Sequence, residues 1–124
     1  LSEEVFFKTV TVDGAIFVFA VNKENTLIGI AEASRLFFDD SFPNIYFFNR
    51  LYIQENYRGN GYSKELLQRF CKEADNKKVD IELTINPYGA VTYDRLKELY
   101  DSYGFKQVGQ NHFLRKNNRS FITV

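Results

Sequence analysis

The segment Arg58-Gly59-Asn60-Gly61-Tyr62-Ser63 constrains this chain more than any other part of it. It follows a strongly apolar strand candidate, Tyr46 to Ile53, and opens an amphipathic helix candidate, Ser63 to Lys77. A strand, a glycine turn and a helix start in succession make an anion cradle. The amides of the turn and the first helical turn have no intrahelical partners, and the helix dipole favours negative charge there. Gly59 and Gly61 can adopt backbone angles closed to other residues and admit a ligand without a Cβ in its way. The expected guest is a phosphate or pyrophosphate. The spacing fits neither the dinucleotide fingerprint Gly-x-Gly-x-x-Gly nor the phosphate loop that ends in Gly-Lys-Ser/Thr. Spacing alone does not separate a ligand loop from an ordinary glycine bend.

The rest of the chain reads as strands and helices without repeats or interdomain linkers. Val5 to Val12 is a strand candidate, turned at Asp13-Gly14 into Ala15 to Val21, a continuous apolar run that suits a strand buried on both faces. Thr26 to Phe38 continues as a long strand, and residues 39–44 form a loop. Four strands therefore precede the glycine turn. Leu66, Leu67, Phe70, Cys71 and Ala74 then mark one face of the first helix. Val79 to Ile85 alternates as a strand, and Asn86, preceding Pro87, should stay extended. Leu96, Leu99, Tyr100 and Tyr103 recur at i, i+3, i+4 and i+7, so Thr92 to Tyr103 is a second helix, ended by Gly104 in a left-handed cap. Phe105 to Val108 and His112 to Arg115 close the sheet, with Ser120 to Val124 as a possible edge strand.

At 124 residues this is one domain, spanning 1–124. Sixteen basic and sixteen acidic residues cancel, so no cationic field argues for nucleic acid and no polybasic run for a membrane. The apolar segments are too short to span a bilayer, and the start shows no signal-peptide pattern. The single cysteine, Cys71, rules out an internal disulfide and fits a reducing compartment, so a cytoplasmic location is expected. Its place on the apolar stripe favours a buried thiol over a nucleophile.

Arg58-x-x-Gly61-x-Ser63 resembles the Arg/Gln-x-x-Gly-x-Gly/Ala loop of the GNAT acetyltransferase superfamily, which binds the pyrophosphate of acetyl-CoA. Leu27 to Glu32 is similar to the family's third strand, and Leu51-Tyr52-Ile53 leading to Tyr57-Arg58-Gly59 to its fourth. Leu99-Tyr100-Asp101-Ser102-Tyr103-Gly104-Phe105 is similar to the family's Leu-Tyr-x-x-x-Gly-Phe. The resemblance covers residues 15–116. It implies an α/β (α+β) fold with a mixed, mostly antiparallel central sheet and two main helices. The first two family helices are absent, because only a tight turn separates Val12 from Ala15. In the family those helices wall the acceptor site, and their loss favours an extended or macromolecular acceptor.

The resemblance further implies an N-acetyltransferase that uses acetyl-CoA as donor, needs no metal and passes the acetyl group directly to a primary amine. The amides of Arg58, Gly59, Asn60, Gly61, Tyr62 and Ser63 would hold the pyrophosphate, with the Ser63 hydroxyl as a helix cap or phosphate contact. A backbone N–H among Leu51, Tyr52 and Ile53 would polarise the thioester, Asn86 would touch the pantetheine arm, and Tyr100 would protonate the departing thiolate. Tyr93 stands where relatives often carry a CoA-binding asparagine. The base is a gap. Asn49 occupies the position of the family's fourth-strand glutamate and cannot take a proton, which leaves Glu32, Glu82, Asp39 and Asp40, each reading first as a solvated surface charge, or a water chain; His112 has a suitable imidazole but, on a late strand, reads as a surface or satisfied histidine. Asp39 and Asp40 hint at a cationic acceptor, a small amine or a protein lysine or N-terminus. The edge at Ser120 to Val124 offers a homodimer contact. The alternative is a catalytically weak acyl-CoA-binding or interaction module of the same fold.

Overall fold

The computed structural model describes residues 4–35, 44–86 and 92–117. Among these, seven strands form one sheet in the order β1-β2-β3-β4-β5-β7-β6. The first four are β1 (Phe6–Val12), β2 (Ala15–Val21), β3 (Leu27–Arg35) and β4 (Ile45–Ile53). A short 3-10 turn at Glu55–Tyr57 leads into helix α1 (Tyr62–Lys77), followed by β5 (Asp80–Thr84) and α2 (Tyr93–Asp101). Strands β6 (Lys106–Gln107) and β7 (His112–Arg115) finish the sheet. Every pairing is antiparallel except β4 with β5, which α1 joins as a crossover. This is the mixed, mostly antiparallel sheet with two helices expected of the GNAT fold. Residues 39–43 and 120–124 lie outside the described residues, and with them the Asp39/Asp40 pair and the edge-strand and dimer expectation.

The two absent helices are indeed replaced by a hairpin. Val12 pairs directly with Ala15, and Gly14 turns the chain at φ 81°. Both helices lie on one face of the sheet. Phe48 on β4 stacks on Phe70 of α1 at 4.8 Å and meets the ring of Tyr100 on α2 at 6.1 Å. No described helix covers the opposite face, where Phe6, Val10, Val12 and Tyr52 are exposed.

That asymmetry corrects one expectation. β2 is not buried on both faces: Ile16, Val18 and Ala20 point into the core, while Phe17 and Phe19 are half-buried. The second pair stacks ring on ring at 5.8 Å on the uncovered side. A continuous apolar run cannot distinguish burial from partial shielding by neighbouring aromatics.

Two local features set the end of β4. The register with β3 slips by one residue, because Glu32 opposes Arg50 whereas Ala33 opposes Phe48. Asn49 is the extra residue of this bulge. Further along, Gly29 sits opposite Ile53. A methyl group there would lie 2.6 Å from Ile53 Cδ1, 2.8 Å from the Tyr52 carbonyl oxygen and 3.2 Å from Leu66 Cδ1. Only glycine lets β3, β4 and the start of α1 approach so closely.

Candidate functional site

The rungs between β4 and β5 stop at Phe47↔Glu82, although β4 runs on to Ile53. The two strands therefore splay apart beyond that rung. Gln54 donates its amide to the Ile28 carbonyl on β3 at 2.8 Å. Strand alternation then turns the amide of Tyr52 toward β3 and those of Leu51 and Ile53 toward the splayed edge. The Ile53 carbonyl confirms the direction, since it accepts Arg58 Nε at 2.8 Å from outside the sheet.

The chain then bends through Gly59 at φ 83° and Gly61 at φ 81°. An added side chain would meet nothing within 4 Å at either, so conformation rather than crowding demands glycine. Gly61 is itself the N-cap of α1, and no side chain caps that helix. Ser63, expected as a helix cap or a phosphate contact, is the second residue of the helix and makes no capping bond. The contrast with α2 is informative, because there the Thr92 hydroxyl accepts the Arg95 amide at 3.3 Å. At the start of α1 no side chain caps the corresponding amide, which is what an anionic ligand requires.

A cleft of about 700 Å³ opens between this turn and α2. Of the expected binding residues, Leu51, Ile53, Arg58, Gly59, Gly61 and Ser63 line it. Lys64, Arg95, Leu96, Glu98, Leu99 and Ser102 also line it and were not anticipated. Leu96 and Leu99 belong to the apolar stripe of α2, while Arg95, Glu98 and Ser102 flank it on the cleft side. Other expected residues stand elsewhere. The Tyr62 ring packs near Phe7, the Asn60 amide donates to the Tyr57 carbonyl at 2.9 Å, and the Tyr52 ring lies under the Arg58 guanidinium. Asn86 is exposed just past β5.

Tyr100 is 9 % exposed and is not among the cleft residues. Its ring is held edge-on between Phe48 and Phe105, the latter at 5.5 Å. Phe48 is the first β4 residue past the last rung to β5, so Tyr100 lies beneath the apex of the splay.

Among the described residues, each candidate base contacts a neighbour. Glu32 pairs with Arg50, and Asn49 donates to the Ser34 hydroxyl at 2.8 Å. Glu82 and His112 contact each other, carboxylate to Nε2. Cys71 is buried, and desolvation pushes its thiol from 9.0 up to about 11, against a lowering pull from Arg115. The thiol therefore stays protonated and inert near neutral pH. In the unfolded chain it ionises near its ordinary value, so its contribution to stability is complete below pH 9 and is lost as pH rises toward 11. Denaturant titrations at pH 8 and pH 11 should show wild type losing about 2–3 kcal/mol more than Cys71→Ala over that interval. Equal losses would contradict the assignment.

A family profile described as an acetyltransferase (GNAT) domain matches residues 1–121. Among solved structures, the chain resembles the GNAT family N-acetyltransferase YhbS of Escherichia coli in complex with CoA, at TM-score 0.68 and 12 % identity, covering 94 % of this chain and 83 % of that one. It resembles the PaiA N-acetyltransferase of Thermoplasma acidophilum in complex with coenzyme A at TM-score 0.59 and 23 % identity, covering 83 % of this chain but only 61 % of that one. It also resembles the spermidine/spermine N-acetyltransferase SpeG of Vibrio cholerae at TM-score 0.68 and 15 % identity, covering 86 % and 67 %. At these identities the likeness is one of fold. No curated protein sequence matches the chain.

Proposed function

This chain belongs to the GNAT acetyltransferase family, and we propose that it is an N-acetyltransferase moving an acetyl group from acetyl-CoA directly to a primary amine. The observation that carries this reading is the divergence of β4 from β5 immediately before an α1 start that no side chain caps. The amides from Gly61 to Lys64 would take the pyrophosphate, and the pantetheine arm would lie along β4 in the splay. There the Ile53 amide faces the place where the thioester oxygen gains charge. One such preorganised donor is worth about 3 kcal/mol of barrier. The inert Cys71 supports direct attack over an acyl-enzyme.

Tyr100, under the apex of the splay, is the proposed acid for the thiolate leaving group. Tyr100→Phe keeps the ring between Phe48 and Phe105 and removes only the hydroxyl. It is expected to cut turnover about a hundredfold. Calorimetry should find acetyl-CoA binding unchanged. Full turnover by Tyr100→Phe would remove the residue from the mechanism, and absence of acetyl-CoA binding by wild type would remove the whole reading.

The second reading, a weakly catalytic acyl-CoA-binding module, is favoured by Asn49 in place of a fourth-strand carboxylate. Tight acetyl-CoA binding without thiol release across a panel of polyamines, lysine peptides and free N-termini would establish it.

A further inference from the structure

The exposed face of the sheet carries a polar cluster beside the splay. On β5, Ile81 and Leu83 point to the helices, so Glu82 and Thr84 point the other way. Thr84 is paired across the ladder with His112 of β7. The imidazole leans over β5. Its Nε2 meets the Glu82 carboxylate, its Nδ1 lies 3.4 Å from Thr84 Oγ1, and its ring stands edge-on to Phe47 of β4 with centroids 6.4 Å apart. Phe47 and Glu82 form the last rung before β4 and β5 part. Three strands thus bring an oriented imidazole to the vertex of the splay, on the side where no described helix stands. The His112 and Glu82 side chains are 35 % and 27 % exposed, so both are open to an incoming molecule.

We infer that His112, oriented by Glu82, is the base that deprotonates the acceptor amine; this rests on the acetyltransferase reading above. With Nε2–H donated to Glu82, the lone pair lies on Nδ1, beside a Thr84 hydroxyl too distant to hold it tightly. The acceptor ammonium approaches from the helix-free face and gives one proton to Nδ1, and Glu82 stabilises the imidazolium that forms. The freed nitrogen lone pair makes the C–N bond, the C–S bond breaks, and the second amine proton ends on the CoA thiolate. Amide and free thiol leave, and the imidazolium returns its proton to solvent. Glu82 acts as a positioning residue through His112.

The test compares wild type, His112→Ala, His112→Asn and Glu82→Gln. Thiol release from acetyl-CoA is followed with spermidine as the amine probe and with water alone, and acetyl-CoA affinity is measured by calorimetry. His112→Ala and His112→Asn should lower kcat about a hundredfold with unchanged acetyl-CoA affinity. Added imidazole should restore about tenfold in the alanine variant, which has space for it. Glu82→Gln should lower kcat about tenfold and leave KM for acetyl-CoA alone. Undiminished kcat in both histidine variants, or a loss in His112→Ala that imidazole leaves untouched, overturns the assignment. Wild type that binds acetyl-CoA but releases no thiol to either nucleophile overturns it as well. Failure of wild type to bind acetyl-CoA would instead overturn the reading beneath it.

Discussion

Gly61→Val is expected to weaken acetyl-CoA binding about a hundredfold. The position sits at φ 81°, a conformation that costs a non-glycine residue about 1–2 kcal/mol and a β-branched one more. Space is not the obstacle, since nothing lies within 4 Å of an added Cβ. The chain relieves the strain by rotating the turn, and that rotation carries the amides at the start of α1 out of convergence. About 2.7 kcal/mol of lost ligand contact corresponds to the hundredfold change. Gly61→Asn is the control, because asparagine tolerates the left-handed region and should retain most of the affinity. Titration calorimetry on the three proteins decides the matter. A valine variant with wild-type affinity would show that the turn does not hold the ligand.

The second large effect concerns stability. Arg115 on β7 forms a two-pronged pair with Asp75 on α1, both contacts at 3.0 Å, and its Nε donates to the Tyr103 carbonyl at 2.8 Å. The two side chains are only 12 % and 15 % exposed. Burial works against the guanidinium charge, but the Asp75 hydrogen bonds and nearby acidic groups outweigh it and raise the pKa above its ordinary value. Asp75→Ala would strand that charge in the interior. The expected loss is about 3–5 kcal/mol, a fall in Tm of roughly 10–25 °C. The double variant Asp75→Leu with Arg115→Met should be more stable than Asp75→Ala, because no buried charge remains. Thermal melts of the variants check both statements, and a single-variant loss below about 1 kcal/mol would contradict them.

Local pattern carried much of this molecule into view. Alternation located β5, the i, i+1, i+4, i+5, i+8 stripe located α1, and the glycine pair marked the bend. What stayed hidden depends on residues distant in sequence. The bulge at Asn49 exists only through its register with β3, and the contact between Glu82 and His112 only through that of β5 with β7. Read separately, each of those two side chains looks like an ordinary surface group. Of the two roles open to Ser63, the cap is excluded for a different reason, because a left-handed Gly61 takes the capping position itself. Phe105, expected to open a strand, is instead buried beneath Tyr100, which shortens β6 to two residues. The cleft lining from α2 is not legible locally: Leu96 and Leu99 read as core, and Arg95, Glu98 and Ser102 beside them read as a water-facing edge.

The crowding around Gly29 couples two properties that usually vary separately. The same missing methyl group seats Leu66 in the hydrophobic interior and fixes the height of the Tyr52 carbonyl, one residue before the Ile53 amide. On the acetyltransferase reading, interior repacking and ligand geometry thus share a single tolerance of a few tenths of an ångström.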